Sequence, residues 1–88
     1  MEKNIDITKE RIEGELVLLL DGELNVLSSP ELSATIDESI EGVSLLTLDF
    51  EKCQYVSSAG IRVILAALKT MKKSGGNMRL RNVGDVFT

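Results

Sequence analysis

The sequence contains no histidine and no tryptophan, a single cysteine, a single proline and only 3% aromatic residues. The absence of histidine removes the commonest general base and the commonest metal ligand together. A single cysteine excludes an internal disulfide and a cysteine metal cluster, and we interpret Cys53 as a partly buried loop thiol, not a redox centre. These absences predict a protein that is not an enzyme and that holds no metal and no cofactor.

Positive charge and long apolar runs are also scarce. The formal net charge is −4 and the calculated pI is about 4.7. Nucleic-acid binders usually carry a basic footprint, so we expect no nucleic-acid partner, and we interpret Lys69, Lys72 and Lys73 as a solvated helix end. No apolar run is long enough to span a membrane, and Met1–Asn4 lacks the apolar stretch of a signal peptide. We therefore expect a cytoplasmic protein without membrane insertion.

The first third of the chain has the pattern of a β-hairpin. The whole chain of 88 residues is long enough for one domain, which we predict to span residues 1–88. Apolar residues alternate loosely over Ile5–Ile12, and the segment Glu15–Asp21 contains the continuous apolar run Leu16–Leu20, so both segments are predicted strands. The intervening Glu13 and Gly14 favour a turn.

Two helical patterns follow, separated by a strand. Ser29 is the predicted cap of a first helix, with Pro30 in its first turn and Gly42 at its end. Leu45–Phe50 is a predicted strand. A second helix is predicted from Ser57 or Ser58 to Lys73. Its apolar face is formed by Ile61, Ile64, Leu65, Leu68 and Met71.

A last strand is predicted over Asn77–Val83, after the helix stop at Ser74, Gly75 and Gly76. The element order is therefore β-β-α-β-α-β. This order predicts an α/β fold with a mixed sheet of about four strands and with the helices packed on one face.

The segment Val56–Gly60 opens the second helix with two serines. A serine at this position commonly caps the free backbone N–H groups, and small residues let the helix approach the sheet. A phosphate is also tolerated there, because it faces unpaired N–H groups and the positive end of the helix dipole. The residues alone leave both interpretations open.

Three segments together resemble the anti-sigma-factor antagonists of the STAS-domain family: Asp21–Asn25, Leu48-Asp49 and Tyr55–Leu65. The resemblance covers residues 5–83 and implies a STAS-like fold. In that family a serine of the motif Asp-Ser-Ser/Thr-Gly is phosphorylated by a kinase that is also the anti-sigma factor, and a phosphatase resets the cycle. Unphosphorylated antagonist binds this kinase and frees the sigma factor.

Alignment on Gly60 implies that Ser58 is the phosphoacceptor, with Ser57 as the runner-up. Ser57 stands where the family has Asp, and Asn25 stands where it often has Asp. Arg62 is either a solvent-facing residue or a contact to an acidic partner, and Asp49 and Glu51 are candidates to add repulsion. The partner-binding residues implied are Asn25, Ser57, Ser58, Ala59, Gly60 and Arg62.

Two further expectations follow from the resemblance. The final helix of the family is expected to be absent, because Val83–Thr88 is too short to form it, and a second copy of the chain in a homodimer is one way to cover the exposed core. The alternative function is a non-catalytic STAS subunit of a lipid-transport ATPase or of a stress-signalling assembly, without a phosphorylation switch.

Overall fold

The computed structural model describes residues 5–84 and contains four strands and two helices in the predicted order. The mixed α/β architecture is confirmed. The elements are β1 (Ile5–Ile12), β2 (Glu15–Leu24), α1 (Ser29–Ser39), β3 (Leu45–Val56), α2 (Ser58–Lys73) and β4 (Asn77–Arg81).

The sheet has the order β1-β2-β3-β4. The predicted hairpin is present: β1 pairs antiparallel with β2, and Glu13 takes a positive φ of 55° in the turn between them. β3 and β4 are parallel to β2, and Leu48 lies between Leu18 and Leu80 in the register. The carboxyl ends of β2 and β3 therefore meet at the sheet end opposite the hairpin turn.

Both helices pack on one face of the sheet. The two parallel connections step in the same direction across the sheet, and α1 and α2 contact each other as well. Alternate residues of β2 and β3 point into this layer. The central core residues are Leu16, Leu18, Leu20, Leu46, Leu48 and Phe50.

β2 and β3 are both longer than predicted. β2 continues past Asp21 to Leu24, and β3 continues past Phe50 to Val56. Their pairing persists through two register irregularities, which lie between Leu19 and Asp21 and between Gly22 and Glu23. The polar residues after Phe50, which predicted a loop, therefore continue β3, because the two bulges shift the register and allow β2 and β3 to remain paired.

This extension corrects the interpretation of Cys53. The side chain lies in β3, not in a loop, and it is buried. Burial raises the pKa of the thiol, and the Sγ atom contacts the backbone oxygen of Tyr55 at 3.4 Å. Cys53 is therefore a core residue, and a raised pKa makes its thiol less reactive.

The ends of α1 differ from the prediction. The N-cap position is Ser28, not Ser29, and no side chain caps the helix there. Ser29 is already helical, and its hydroxyl donates to the backbone oxygen of Asn25 at 2.6 Å. The helix ends at Ser39, three residues before the predicted stop at Gly42, which takes a positive φ of 78°. Arg11 of β1 donates to the backbone oxygens of Ser39 and Glu41 at this end.

The bounds of α2 agree with the prediction, but its apolar face is rotated. Ile64 and Met71 are buried as expected, together with Ala67. Ile61 and Leu65 are instead 38% and 52% exposed. The three- and four-residue spacing fits more than one stripe, and the small Ala67 lies on the stripe that faces the sheet.

β4 ends at Arg81, two residues before the predicted Val83, and Asn82 takes a positive φ of 56°. The expected absence of a final family helix concerns a segment whose residues 85–88 lie outside the described residues. None of the helices within residues 5–84 is long and apolar enough to cross a bilayer.

Candidate functional site

Ser57 and Ser58 lie where β3 passes into α2, beside the end of β2. The Ser57 N–H donates to the backbone oxygen of Leu24 at 2.8 Å, which ties this junction to β2. The Ser57 side chain accepts from the Gly60 N–H at 3.4 Å, and the Ser57 backbone oxygen accepts from the Ile61 N–H at 3.0 Å. Ser57 is therefore the N-cap of α2.

Ser58 is the first residue of α2 and is exposed. With Ser57 as the cap, the Ser58 hydroxyl is not needed to hold the helix end. The first turn of α2 contains no acidic residue, so no carboxylate of that turn competes for the free N–H groups. The two serines thus divide the roles that the sequence left open, Ser57 being structural and Ser58 accessible.

Gly60 is buried against β2. A Cβ atom built on it would lie 2.8 Å from both the Cγ and Cδ2 atoms of Leu24 and 3.1 Å from the Leu24 backbone oxygen. No side chain fits there without displacing β2. This close approach gives Gly60 a packing role and leaves Ala59 half-buried and Arg62 exposed on the outer side of the helix.

Asn25 organises the loop between β2 and α1. Its side-chain oxygen accepts from the Leu27 N–H at 2.9 Å and from the Ser28 N–H at 3.0 Å. The Ser28 hydroxyl in turn donates to the backbone oxygen of Glu23 at 2.6 Å. Asparagine accepts these bonds through its amide oxygen, so the loop is braced without a carboxylate.

This braced loop displays two large apolar side chains that the sequence analysis did not select. Val26 is 70% exposed and Leu27 is 79% exposed. They follow Leu24, whose backbone oxygen is bonded to Ser57. The sequence does contain a feature that could have indicated them: Val26 and Leu27 are an apolar pair between polar residues that favour a turn, Asn25 on one side and Ser28-Ser29 on the other.

Asp49 lies on the sheet face away from the helices and does not belong to the Ser58 surface. Although burial raises its pKa, hydrogen bonds from Asn82, from the Glu51 backbone and from Arg81, together with the charge of Arg81, hold the pKa of Asp49 below its ordinary value. Arg81 donates to Asp49 through two nitrogens at 2.9 and 2.8 Å. The carboxylate thus has its own partners, and it anchors β4 to β3.

Among the clefts in the described part of the chain, two large ones lie away from this junction. One of about 260 Å³ is lined by residues of β1, β2 and β3, including Asp21 and Lys52. The other, of about 470 Å³, lies between the carboxyl ends of the helices near Gly42 and Ser74. Neither is lined by Ser57 or Ser58, and Ser58 itself lies exposed on the surface. Within residues 5–84, no group of three or more cysteine, aspartate or glutamate side chains is arranged to hold a metal ion.

An exposed serine at the start of a helix, on a small mixed sheet, is the arrangement that the family resemblance predicts. The family model described as STAS domain matches residues 6–87. The chain therefore belongs to the STAS-domain family. The anti-sigma F factor antagonist of Paenibacillus polymyxa, 30% identical over 91% of this chain and 70% of its own length, places it among the anti-sigma factor antagonists.

Two relatives illustrate this membership. BtrV of Bordetella bronchiseptica, named as an anti-sigma factor antagonist, is 31% identical over 84% of this chain, which spans 65% of the length of BtrV. The anti-sigma-B factor antagonist of Bacillus subtilis is 27% identical over 93% of this chain and 75% of its own length. Both relatives are named as antagonists of anti-sigma factors, that is, as regulators, which agrees with the prediction that the chain is not an enzyme.

Solved structures confirm the fold. The anti-sigma factor antagonist SpoIIAA in its unphosphorylated form superimposes with a TM-score of 0.75 at 22% identity, over 85% of this chain and 71% of SpoIIAA. The structure of the Bacillus protein SpoIIAA in its phosphorylated form gives a TM-score of 0.72 at 21% identity, over 83% and 68% of the two chains.

Proposed function

We propose that this protein is a phosphorylation-controlled anti-sigma factor antagonist. In its unphosphorylated form it binds an anti-sigma factor that is also a serine kinase, and phosphorylation of Ser58 ends the binding. The observation that carries the proposal is the exposed Ser58 hydroxyl in the first turn of α2, beside an N-cap that Ser57 provides independently. The relatives, named as anti-sigma factor antagonists, support the choice of partner.

The modification is a phosphoryl transfer from ATP. The Ser58 oxygen attacks the γ-phosphorus, an oxygen–phosphorus bond forms, and the bond to the bridging oxygen breaks so that ADP leaves. The hydroxyl proton passes to a base of the kinase. A serine phosphatase of the same cytoplasm reverses the change by hydrolysis.

The phosphate switches binding through charge and leaves the fold unchanged. It adds roughly 1.5 to 2 negative charges and a bulky acceptor group to the surface. At the helix start this charge is tolerated, because it faces free N–H groups and the positive end of the dipole. A partner packed over Ser58 would instead have to desolvate it, and binding is lost.

The proposed contact surface extends from α2 to the loop containing Val26 and Leu27. Exposed large apolar side chains on a hydrogen-bonded loop bind a partner at little entropic cost, because the loop is already ordered. The loop joins the Ser58 helix through the bond between Leu24 and Ser57. A kinase that reaches the Ser58 hydroxyl therefore contacts this loop with an apolar patch of its own.

The test is phosphorylation of the full chain by its cognate serine kinase and ATP. Intact-mass measurement is expected to show one added phosphate, and peptide mapping is expected to assign it to Ser58. Ser58→Ala removes the modification and Ser57→Ala retains it, since Ser57 serves as the cap. A native chain that gains no phosphate contradicts the switch, and recovery of the chain in an intact transport ATPase supports the alternative STAS subunit.

A further inference from the structure

Arg62 lies four residues after Ser58 in α2, which places both on one face of the helix, a little more than one turn apart. Both residues are exposed. The acceptor is the residue nearer the helix N-terminus and the cation is nearer the C-terminus. This is the favourable order for an ion pair along a helix, and the phosphate itself would lie at the N-terminus of α2, where the dipole favours a negative charge.

Arg62 differs from the other arginines of the chain. Within residues 5–84 it is the one arginine without a hydrogen bond or an ion pair. The other three are engaged, Arg11 with the end of α1, Arg79 with Glu15 and Arg81 with Asp49. The unmodified protein therefore leaves one guanidinium available beside the proposed phosphoacceptor.

We infer that Arg62 binds the phosphate of phosphorylated Ser58 and is thereby withdrawn from the partner. A guanidinium donates two parallel hydrogen bonds to phosphate oxygens, and the phosphate carries more charge than the carboxylates that form such pairs in ordinary helices. This inference rests on the proposed function, because it assigns a consequence to the modification of Ser58.

The ion pair gives phosphorylation two effects on one surface. Before modification, Arg62 is exposed and free to contact an acidic group of the anti-sigma factor. After modification, the same side chain is held against its own helix, so the partner meets a new anion and also loses a cation. The switch is in this way sharper than the phosphate charge alone would make it.

The test is a thermodynamic cycle that does not need the kinase. Phosphoserine is incorporated at position 58 during synthesis of the full chain, and thermal unfolding is measured with and without it, in the native background and in Arg62→Gln. We expect phosphoserine to raise the Tm of the native chain by about 2 to 3 °C more than it raises the Tm of Arg62→Gln at low salt. This difference is the coupling between the phosphate and Arg62. The coupling is expected to disappear near 1 M salt, which screens an exposed pair.

Lys69→Gln is the matched control, because Lys69 is an exposed cation on the same helix but about three turns away from Ser58. It is expected to show no coupling to the phosphate, and Arg62→Lys is expected to retain part of it. In nuclear magnetic resonance spectra, the Arg62 Nε–H signal is expected to shift on phosphorylation. Zero coupling at low salt, or equal coupling for Lys69→Gln, overturns the inference.

These outcomes are separate from those of the switch itself. If the kinase modifies Ser58 but the cycle shows no coupling, the switch stands and the ion pair is wrong. If the cycle shows coupling but no serine kinase modifies the native chain, the ion pair exists and the proposed function fails.

Discussion

Both helices begin with a pair of serines, and the two pairs are used differently. In α1 the pair is Ser28-Ser29, which is 4% and 3% exposed; the Ser28 hydroxyl donates to the backbone oxygen of Glu23 at the end of β2, and the Ser29 hydroxyl donates to that of Asn25 in the loop. In α2 the pair is Ser57-Ser58, of which the first caps the helix and the second is exposed. The same dipeptide at the same helix position is therefore structural in one case and accessible in the other.

The turns that follow the two pairs differ in the same way. α1 continues with Pro30 and Glu31, so a carboxylate already lies in its first turn. α2 continues with Ala59 and Gly60, and its first turn has no acidic residue. Phosphorylation of Ser58 would give α2 the negative charge that α1 carries permanently, and a negative charge at this end of a helix is favourable.

The largest expected effect concerns the charge at position 58. Ser58→Asp is expected to weaken binding to the cognate kinase by at least about tenfold, because a carboxylate must be desolvated in the interface. Ser58→Ala is expected to bind as the native chain does and to remain bound in the presence of ATP. Calorimetry measures both, and equal affinity for the two variants would contradict charge as the switch.

The second effect concerns the close approach of α2 to β2. Gly60→Ala is expected to lower the free energy of unfolding by about 1 to 3 kcal/mol, because the new methyl group meets Leu24. Glu31→Ala, at the matching position of α1, is expected to cost less than about 1 kcal/mol. Urea denaturation measures both, and a Gly60→Ala protein as stable as the native chain would refute the packing role.

The third effect concerns the loop ahead of α1. Replacing Val26 and Leu27 together by serine is expected to raise the Kd for the kinase about tenfold, because the two apolar contacts are lost. Ile12→Ser is the control, since Ile12 is 73% exposed and lies beside the hairpin turn at the opposite end of the sheet. If both proteins bind equally well, the loop does not belong to the interface.

The smallest effects separate the two serine pairs by stability alone. Ser29→Ala is expected to cost about 1 kcal/mol, because a buried hydrogen bond to Asn25 is lost. Ser58→Ala is expected to change the stability by less than about 0.5 kcal/mol. Thermal unfolding measures this difference, and the reverse order would contradict the assignment of structural and accessible serines.

The sequence predicted the order of the elements because their apolar patterns are strong. The run from Leu16 to Leu20 and the stripe with Ile64 and Met71 bury large aliphatic areas, and local pattern and final fold agree there. The ends of β2 and β3 were underestimated, because bulges and side-chain bonds set them. A bulge such as the one between Gly22 and Glu23 leaves no mark in hydrophobic periodicity.

The position of the candidate site was predictable from the sequence, but the different roles of Ser57 and Ser58 were not. The family motif selects the pair Ser57-Ser58, but only burial and the bond to the Gly60 N–H distinguish cap from exposed hydroxyl. Asn25 stays a prediction as a partner-binding residue, and its hydrogen bonds to the N–H groups of Leu27 and Ser28 were not predicted. The exposed Val26 and Leu27 were missed because apolar residues in a short segment ordinarily indicate a core.

The bond between the Ser57 cap and the backbone has a consequence for the speed of the proposed cycle. A helix whose cap was itself the modified residue would have to rearrange each time the phosphate was added or removed. Here the cap is Ser57 and the proposed phosphoacceptor is Ser58, so adding or removing the phosphate would not require the helix end to rearrange. In the proposed cycle, the state of Ser58 would then change as fast as the kinase and the phosphatase turn over, and it would record which of the two enzymes acted last.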